Sequence, residues 1–378
     1  MSENKFIIGK APFVRRADFN KINTQNIMIN FLISLIPLIL FAWYKNGISL
    51  FIKENTLVFN MFYPLIFIFI GGCTSFFIEA LYYLIILKEE DCFKKSLNNY
   101  SIIPGLLLSM LFPITTPIWV LVIGVAFAVV IGKMLFGGFG YNIFNPALIG
   151  YIFILSNFYN IIVSNNPLEN IDIITSATPL SNLNSLISGN VTLDEVINKN
   201  GGLLNMFIGN TSGAIGETSA LLCIIAFLFL SYKKAINPLM TIIYLLTCFI
   251  YSFILGMFIN IDELFKFALF NILNGGIMFA SVFMITEPVT SPRNINAKYI
   301  YTFFIAILSI TLRFLSDAPE GISTAILFMN MLSPSLDTLF AKIDVSNNKI
   351  KKITTYIIIF IISILIILFT IFRLLEKR

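Results

Sequence analysis

The chain has 378 residues, 57% of them hydrophobic and 12% charged, with a formal net charge of +5 and no histidine. Soluble globular domains carry roughly a quarter charged residues, so this composition excludes a water-soluble fold and predicts a polytopic membrane protein. The small positive excess lies in short clusters rather than on a continuous basic face, which excludes nucleic acid as a partner, and the lack of histidine excludes His-ligated haem, a His general base and His-rich metal sites.

In chain order, residues 1–25 are polar and carry Lys5, Lys10, Arg15, Arg16 and Lys21. They lack the short basic start and small-residue cleavage site of a signal peptide, so they read as a cytoplasmic segment, and insertion falls to the first transmembrane helix. Apolar runs near the roughly 20 residues that cross a bilayer follow at 27–43, 58–87, 118–135 and 147–163. A shorter run at 102–112 contains Pro104 and Gly105 and stops at Pro113, the pattern of a discontinuous helix around a buried site. Beyond a polar stretch, further runs stand at 218–230, 238–259, 265–285, 299–315, 322–339 and 353–372. The expected fold is therefore all-α and polytopic, with about ten transmembrane helices and one more, detachable helix at the C-terminal end. The predicted divisions are a cytoplasmic segment 1–25, a first five-helix half 26–163, an extracytoplasmic loop 164–217, a second half 218–341, and a linker with the extra helix at 342–378. With the basic N-terminus inside, Lys233 and Lys234, Arg293 and Lys298, and the linker from Lys342 to Lys352 all fall on the inner side, as the positive-inside rule requires.

The four cysteines, Cys73, Cys92, Cys223 and Cys248, stand alone without iron–sulfur or zinc spacing and read as small buried hydrophobes. Two polar elements stand out instead. In the turn from Phe136 to Ala147, glycines allow positive backbone angles and Asn145 can cap a helix that starts at Pro146. With Asn142 it forms either a tight interhelical turn or, through the helix N-terminus, a holder for a polar or anionic cofactor group. The stretch from Gly209 to Ser219, with Glu217 and Thr218, has similar content but follows no strand, so it is no dinucleotide fingerprint. The second element is the polar loop from Asp172 to Leu180, closed by Pro179, which offers the Thr178 hydroxyl for modification. Ionisable residues in apolar runs are expensive and point to function. Glu79 is either a carboxylate reaching the headgroups from a helix end or part of a cation path or subunit contact. Lys133 lies close to the glycine-rich turn. Arg313, with Asp317 and Glu320, forms either an ion-pair cluster or a phosphate-binding group.

Seven segments in register carry a family resemblance: Ala11-Pro12 with Arg16 and Asp18, Gly105 to Leu108, Gly137 to Gly150 (GGFGYNIFNPALIG), Ser176 to Leu180 (SATPL), GETSA from Gly216, TEPVTSP from Thr286, and PEGISTAILFMN from Pro319. Over some 320 residues the chain resembles the D subunit of the Rnf electron-transport complex, and it is similar to the homologous B subunit of the sodium-translocating NADH:quinone reductase. GETSA and the short N-terminus favour the former. The resemblance implies two five-helix halves related to urea transporters and a covalent FMN on the outer side, with Thr178 as the acceptor in the pattern formed by Asp172, Thr175, Ser176 and Ala177. It implies a flavin transferase that joins the hydroxyl to the FMN phosphate and leaves a second, non-covalent flavin open. It further implies a place in the cytoplasmic (inner) membrane among the other subunits of an Rnf-type complex, which reach ferredoxin and NAD and move sodium ions or protons. The chain departs from the family at Ser176, usually Gly, at Glu287, often Asp, and in the helix after Ile353. The competing expectation on the same architecture is a urea-transporter-like solute channel without a redox cofactor.

Overall fold

A computed structural model describes residues 24–54, 57–164, 191–199, 201–211, 213–216, 219–316, 321–346 and 349–377. Among the described residues there are helices and no strands, as a bilayer demands of any spanning segment that is not a closed barrel. Six helices among them are long and apolar enough to cross a membrane, seven if one bent pair is counted as a span.

The chain opens with α1 (Thr24–Trp43), a π-helical turn and the short α2 (Ser49–Glu54), then returns through the 28-residue α3 (Val58–Ile85). α4 (Cys92–Asn98) and α5 (Ile102–Met110) form a helix pair interrupted at Asn99–Ser101, followed by α6 (Ile118–Val130) and α7 (Pro146–Ser164). Two short helices, α8 (Leu193–Lys199) and α9 (Leu203–Ile208), precede α10 (Ala220–Tyr232) and α11 (Pro238–Phe258). α12 (Leu264–Leu273) and α13 (Ile277–Phe283) are one apolar run bent by 55°. The break falls at Asn274-Gly275-Gly276, where Gly275 has φ +70°, a conformation that side chains rarely adopt. α14 (Ile295–Leu315), α15 (Ile322–Ser346) and α16 (Lys349–Lys377) complete the chain.

Helix starts follow local chemistry. Asn237 accepts from the Leu239 amide ahead of a helix that opens on Pro238, and Asn294 accepts from the amides of Asn296 and Ala297. Packing then follows the small residues. Gly71 of α3 and Gly105 of α5 bring their backbones together so closely that a Cβ on Gly71 would lie 2.8 Å from the Gly105 carbonyl oxygen, the contact through which helices associate where lipid removes the hydrophobic drive. α3 packs on α5 and α6, and α6 on α7; α11 packs on α12 and α14, and α14 on α15. Between these two groups α1 meets α10 and α7 meets α15. α16 leans mainly on α14, with its Tyr356 ring 6.1 Å from that of Phe340 on α15; Ser363, Thr370, Ile371 and Leu374 are buried and most of its other described side chains exposed.

Candidate functional site

The site grows from two buried charges. Glu79, in the last third of α3, and Lys133, just after α6, are 0% and 2% exposed and form an ion pair with 2.6 Å between Nζ and Oε2. Glu79 therefore does not reach the headgroups; its charge is answered inside the protein. A buried pair survives only when the remaining polar atoms are also bonded, and here Asn99 supplies them. Its Nδ2 donates to the Tyr83 hydroxyl at 2.8 Å and to Glu79 Oε1 at 3.4 Å, while its carbonyl accepts from Lys133 Nζ at 3.4 Å. Lys133 also lies over the Phe139 ring, 5.6 Å from its centroid. It is close enough to Glu287 to feel its charge, so one ammonium group stands between two carboxylates.

Glu287 belongs to the Pro-rich connection between α13 and α14. It accepts from the Thr290 hydroxyl at 3.0 Å. Desolvation raises its pKa to about 7, against the opposing pull of that hydrogen bond and of Lys133. The connection is held from behind: Asp337 of α15 accepts from the backbone amides of Arg293 and Asn294 at 2.8 to 2.9 Å.

Above these charges lies a cavity that is partly open at the surface. Ile27 and Phe31 of α1, Tyr100, Ile103 and Leu107 before and along α5, Lys133, Phe139 and Asn142 in and before the glycine-rich turn, Ala235 and Ile236 after α10, and Phe283 with Thr286 to Val289 line it. It is an aromatic and aliphatic slot with a few converging polar groups, the usual composition of a small-molecule site. Asn142 donates to the Phe144 carbonyl at 3.1 Å. Asn145 caps α7, its Oδ1 accepting from Leu148 N at 3.4 Å, while its Nδ2 is buried with no hydrogen-bond partner in the structure.

The structure thus gathers Glu79, Asn142 and Asn145 around one turn and leaves Arg313 out of the cavity lining. Arg313 is 4% exposed and donates through Nη1 to the Asn271 carbonyl at 2.6 Å, in the last turn of α12. Asp172, Thr175, Ser176, Ala177, Thr178, Glu217 and Thr218, with Asp317 and Glu320, lie outside the described residues. Reading the sequence missed Asn99, Tyr100 and Glu287 as members of the site. The available signal was an intramembrane acid and an intramembrane base in one chain, which lipid forces to find partners.

The family model described as "NQR2, RnfD, RnfE family" matches residues 7–346. The chain is 30% identical over 355 residues to the D subunit of the Na(+)-translocating ferredoxin:NAD(+) oxidoreductase complex of Acetobacterium woodii, covering 93% of this chain and 99% of the relative. It is 29% identical over 340 residues to the D subunit of the proton-translocating ferredoxin:NAD(+) oxidoreductase complex of Clostridium ljungdahlii, covering 89% and 95%. To the B subunit of the Na(+)-translocating NADH-quinone reductase of Pseudoalteromonas atlantica it is 32% identical over 253 residues, 66% of this chain and 61% of that one.

Proposed function

Because the chain belongs to the NQR2, RnfD, RnfE family, and so is a membrane subunit of an ion-translocating oxidoreductase complex, we propose that it is the D-type subunit of a ferredoxin:NAD complex, carrying a covalent FMN on Thr178. The observation that carries this reading is coverage. The alignment takes in 99% of the first of the D-type relatives but only 61% of the quinone-reductase relative.

In this reading α1, α3, the α4–α5 pair, α6 and α7 form one half and α10, α11, the α12–α13 pair, α14 and α15 the other. The parallel packing of the two groups supports it. So does a repeat hidden in the sequence, Pro113-Ile-Thr-Thr-Pro117 and Pro288-Val-Thr-Ser-Pro292, each following a broken helix pair and preceding a span. Lys233, Lys234 and Arg293 follow or precede residues that line the cavity, which supports a cytoplasmic assignment for that end and, with it, an extracytoplasmic one for Thr178.

The cavity residues fit a second, non-covalent flavin. Tyr100 and Phe139 offer aromatic faces in the slot, and the buried Asn145 Nδ2 is an unused donor in the adjoining turn. A flavin bound there would supply one- or two-electron redox chemistry. Asn142 and Thr286 would orient its polar edge, and Lys133 would hold positive charge near it while Glu79 and Glu287 balance that charge. Glu79 is the group proposed for the ion path, because a carboxylate whose cation can be exchanged is the simplest cation station in hydrocarbon. The other subunits of the complex would bring ferredoxin and NAD, and a flavin transferase would load Thr178.

The test is the chain purified from cells that contain the transferase, denatured, and read by in-gel flavin fluorescence and intact mass. The expected result is a mass increase of one FMN less water, fluorescent, and abolished by Thr178→Ala. An unmodified chain despite an active transferase would remove the electron-carrier reading and favour the solute channel.

A further inference from the structure

Among the described residues, four other than glycine hold a positive φ: Lys88, Tyr100, Lys234 and Asn260. Each follows the end of a helix, where a left-handed residue closes the last turn. Lys88, Lys234 and Asn260 are exposed, whereas Tyr100 is half-buried and lines the cavity. At φ +51° its Cβ crowds the neighbouring backbone, a conformation that suits glycine or asparagine and disfavours a bulky side chain.

The ring holds Tyr100 in this state. Its hydroxyl donates to the Gln25 carbonyl at 3.3 Å, in the first turn of α1, and its centroid lies 6.5 Å from that of Phe139. The backbone is pinned on both sides. Asn99 N donates to the Lys95 carbonyl at 2.9 Å, and Ser101 donates to the Ser96 carbonyl through N at 3.3 Å and through Oγ at 2.8 Å. Rotation is thereby confined to the peptide that joins Asn99 to Tyr100. Two long hydrogen bonds hold that peptide: its N–H donates to the Leu97 carbonyl at 3.2 Å, and its carbonyl accepts from Lys133 Nζ at 3.4 Å.

We propose that this peptide is a two-position switch on the Glu79–Lys133 pair. The φ of Tyr100 and the ψ of Asn99 are rotations about the two ends of one peptide plane. When φ returns to negative values with the flanking residues fixed, the plane turns over. The Asn99 carbonyl then leaves Lys133 and the Tyr100 N–H takes its place. A buried ammonium that faces a donor instead of an acceptor loses the support a buried pair needs, and Glu79 opens. Backbone held in sparsely populated regions is found at switches because the surroundings alone maintain it. Here the surroundings include the slot, so a flat aromatic ligand that meets the Tyr100 ring sets the state of the peptide. Occupancy of the cavity is thus transmitted to the ion-path group through one residue. This rests on the ion-path reading of Glu79 but not on flavin at Thr178.

The experiment is labelling of Glu79 by dicyclohexylcarbodiimide in the purified complex, read by peptide mass spectrometry. This apolar reagent adds to protonated carboxyl groups and spares a carboxylate paired with an ammonium. Tyr100→Ala and Tyr100→Gly both remove the ring, but only glycine takes positive φ without strain. Labelling should rise severalfold in Tyr100→Ala and stay at the native level in Tyr100→Gly. Equal labelling in the two variants, high or low, overturns the switch. Should either fail to assemble, Tyr100→Asn, which tolerates positive φ, replaces the glycine variant and Tyr100→Val, which does not, replaces the alanine variant. In the variant that labels, sodium chloride in place of choline chloride should protect Glu79. Labelling indifferent to sodium would count against the ion path alone, since the contrast between the two variants still decides the switch.

Discussion

At the residue scale, the Glu79–Lys133 pair sets the terms. Breaking one member of a buried ion pair strands the other charge, at a cost of about 3–5 kcal/mol, while replacing both by neutral groups of similar volume is far milder. Glu79→Gln and Lys133→Met should therefore each destabilise the detergent-solubilised protein by about that amount, and the double variant should recover most of the loss in a denaturant titration. Glu287 gives a pH signature. Its folded pKa is raised from 4.5 to about 7, so the stability associated with its protonated form is complete below pH 4.5 and is lost as pH rises through 7. Relative to Glu287→Gln, the native protein should lose on the order of 3 kcal/mol across that window. Parallel pH curves for the two proteins would show that the carboxyl group is solvated instead. The pairing itself was not legible in the sequence, because Glu79 and Lys133 are 54 residues apart and hydropathy records that each is costly without recording which residue answers it.

At the element scale, the connection that carries Glu287 is fixed by α15 as well as by its own residues. Asp337 takes backbone amides of Arg293 and Asn294, and hydrogen bonds to a charged group contribute about 1.5–3 kcal/mol. Asp337→Ala should cost that much and speed hydrogen exchange at Arg293 and Asn294 without disturbing the cap of α11 at Asn237; exchange unchanged at all three would refute the clamp. Most element bounds follow from the apolar runs. The run 265–285 is the exception, since its uniform apolarity hides the 55° bend between α12 and α13. Asn274-Gly-Gly was the available mark, but glycine is common in membrane helices that do not break. The cap at Asn145, by contrast, was readable from the Asn-Pro step alone, because only local backbone chemistry decides it.

At the scale of the whole molecule, the family match ends at 346 and α16 begins at 349. α16 is attached by a narrow seam that includes a hydroxyl chain, Tyr251 OH to Thr311 Oγ1 at 2.9 Å and Thr311 Oγ1 to Thr370 Oγ1 at 3.2 Å. Interhelical hydrogen bonds of this kind in membranes average about 0.6 kcal/mol. A chain stopped after Ser346 should therefore insert, assemble and keep its cavity, with a melting temperature lowered by only a few degrees; failure to assemble would make α16 a structural member of the bundle. Membrane class and family could be read from hydropathy and from seven short motifs, whereas the cavity could not, because its walls come from segments as distant as Ile27 and Val289.

The distance between the paired charges also has a consequence during synthesis. At roughly 5–20 residues per second, the ribosome makes Lys133 about 3–11 s after Glu79. During that interval α3 has its acid unanswered, a burden of at most about 2.5–3.5 kcal/mol, the cost of a charged residue at a helix centre. Its 28 residues, rich in Phe, Ile and Leu, are apolar enough to carry that burden. The nascent chain thus inserts first on hydrophobicity and acquires its electrostatic order later, when the end of α6 arrives.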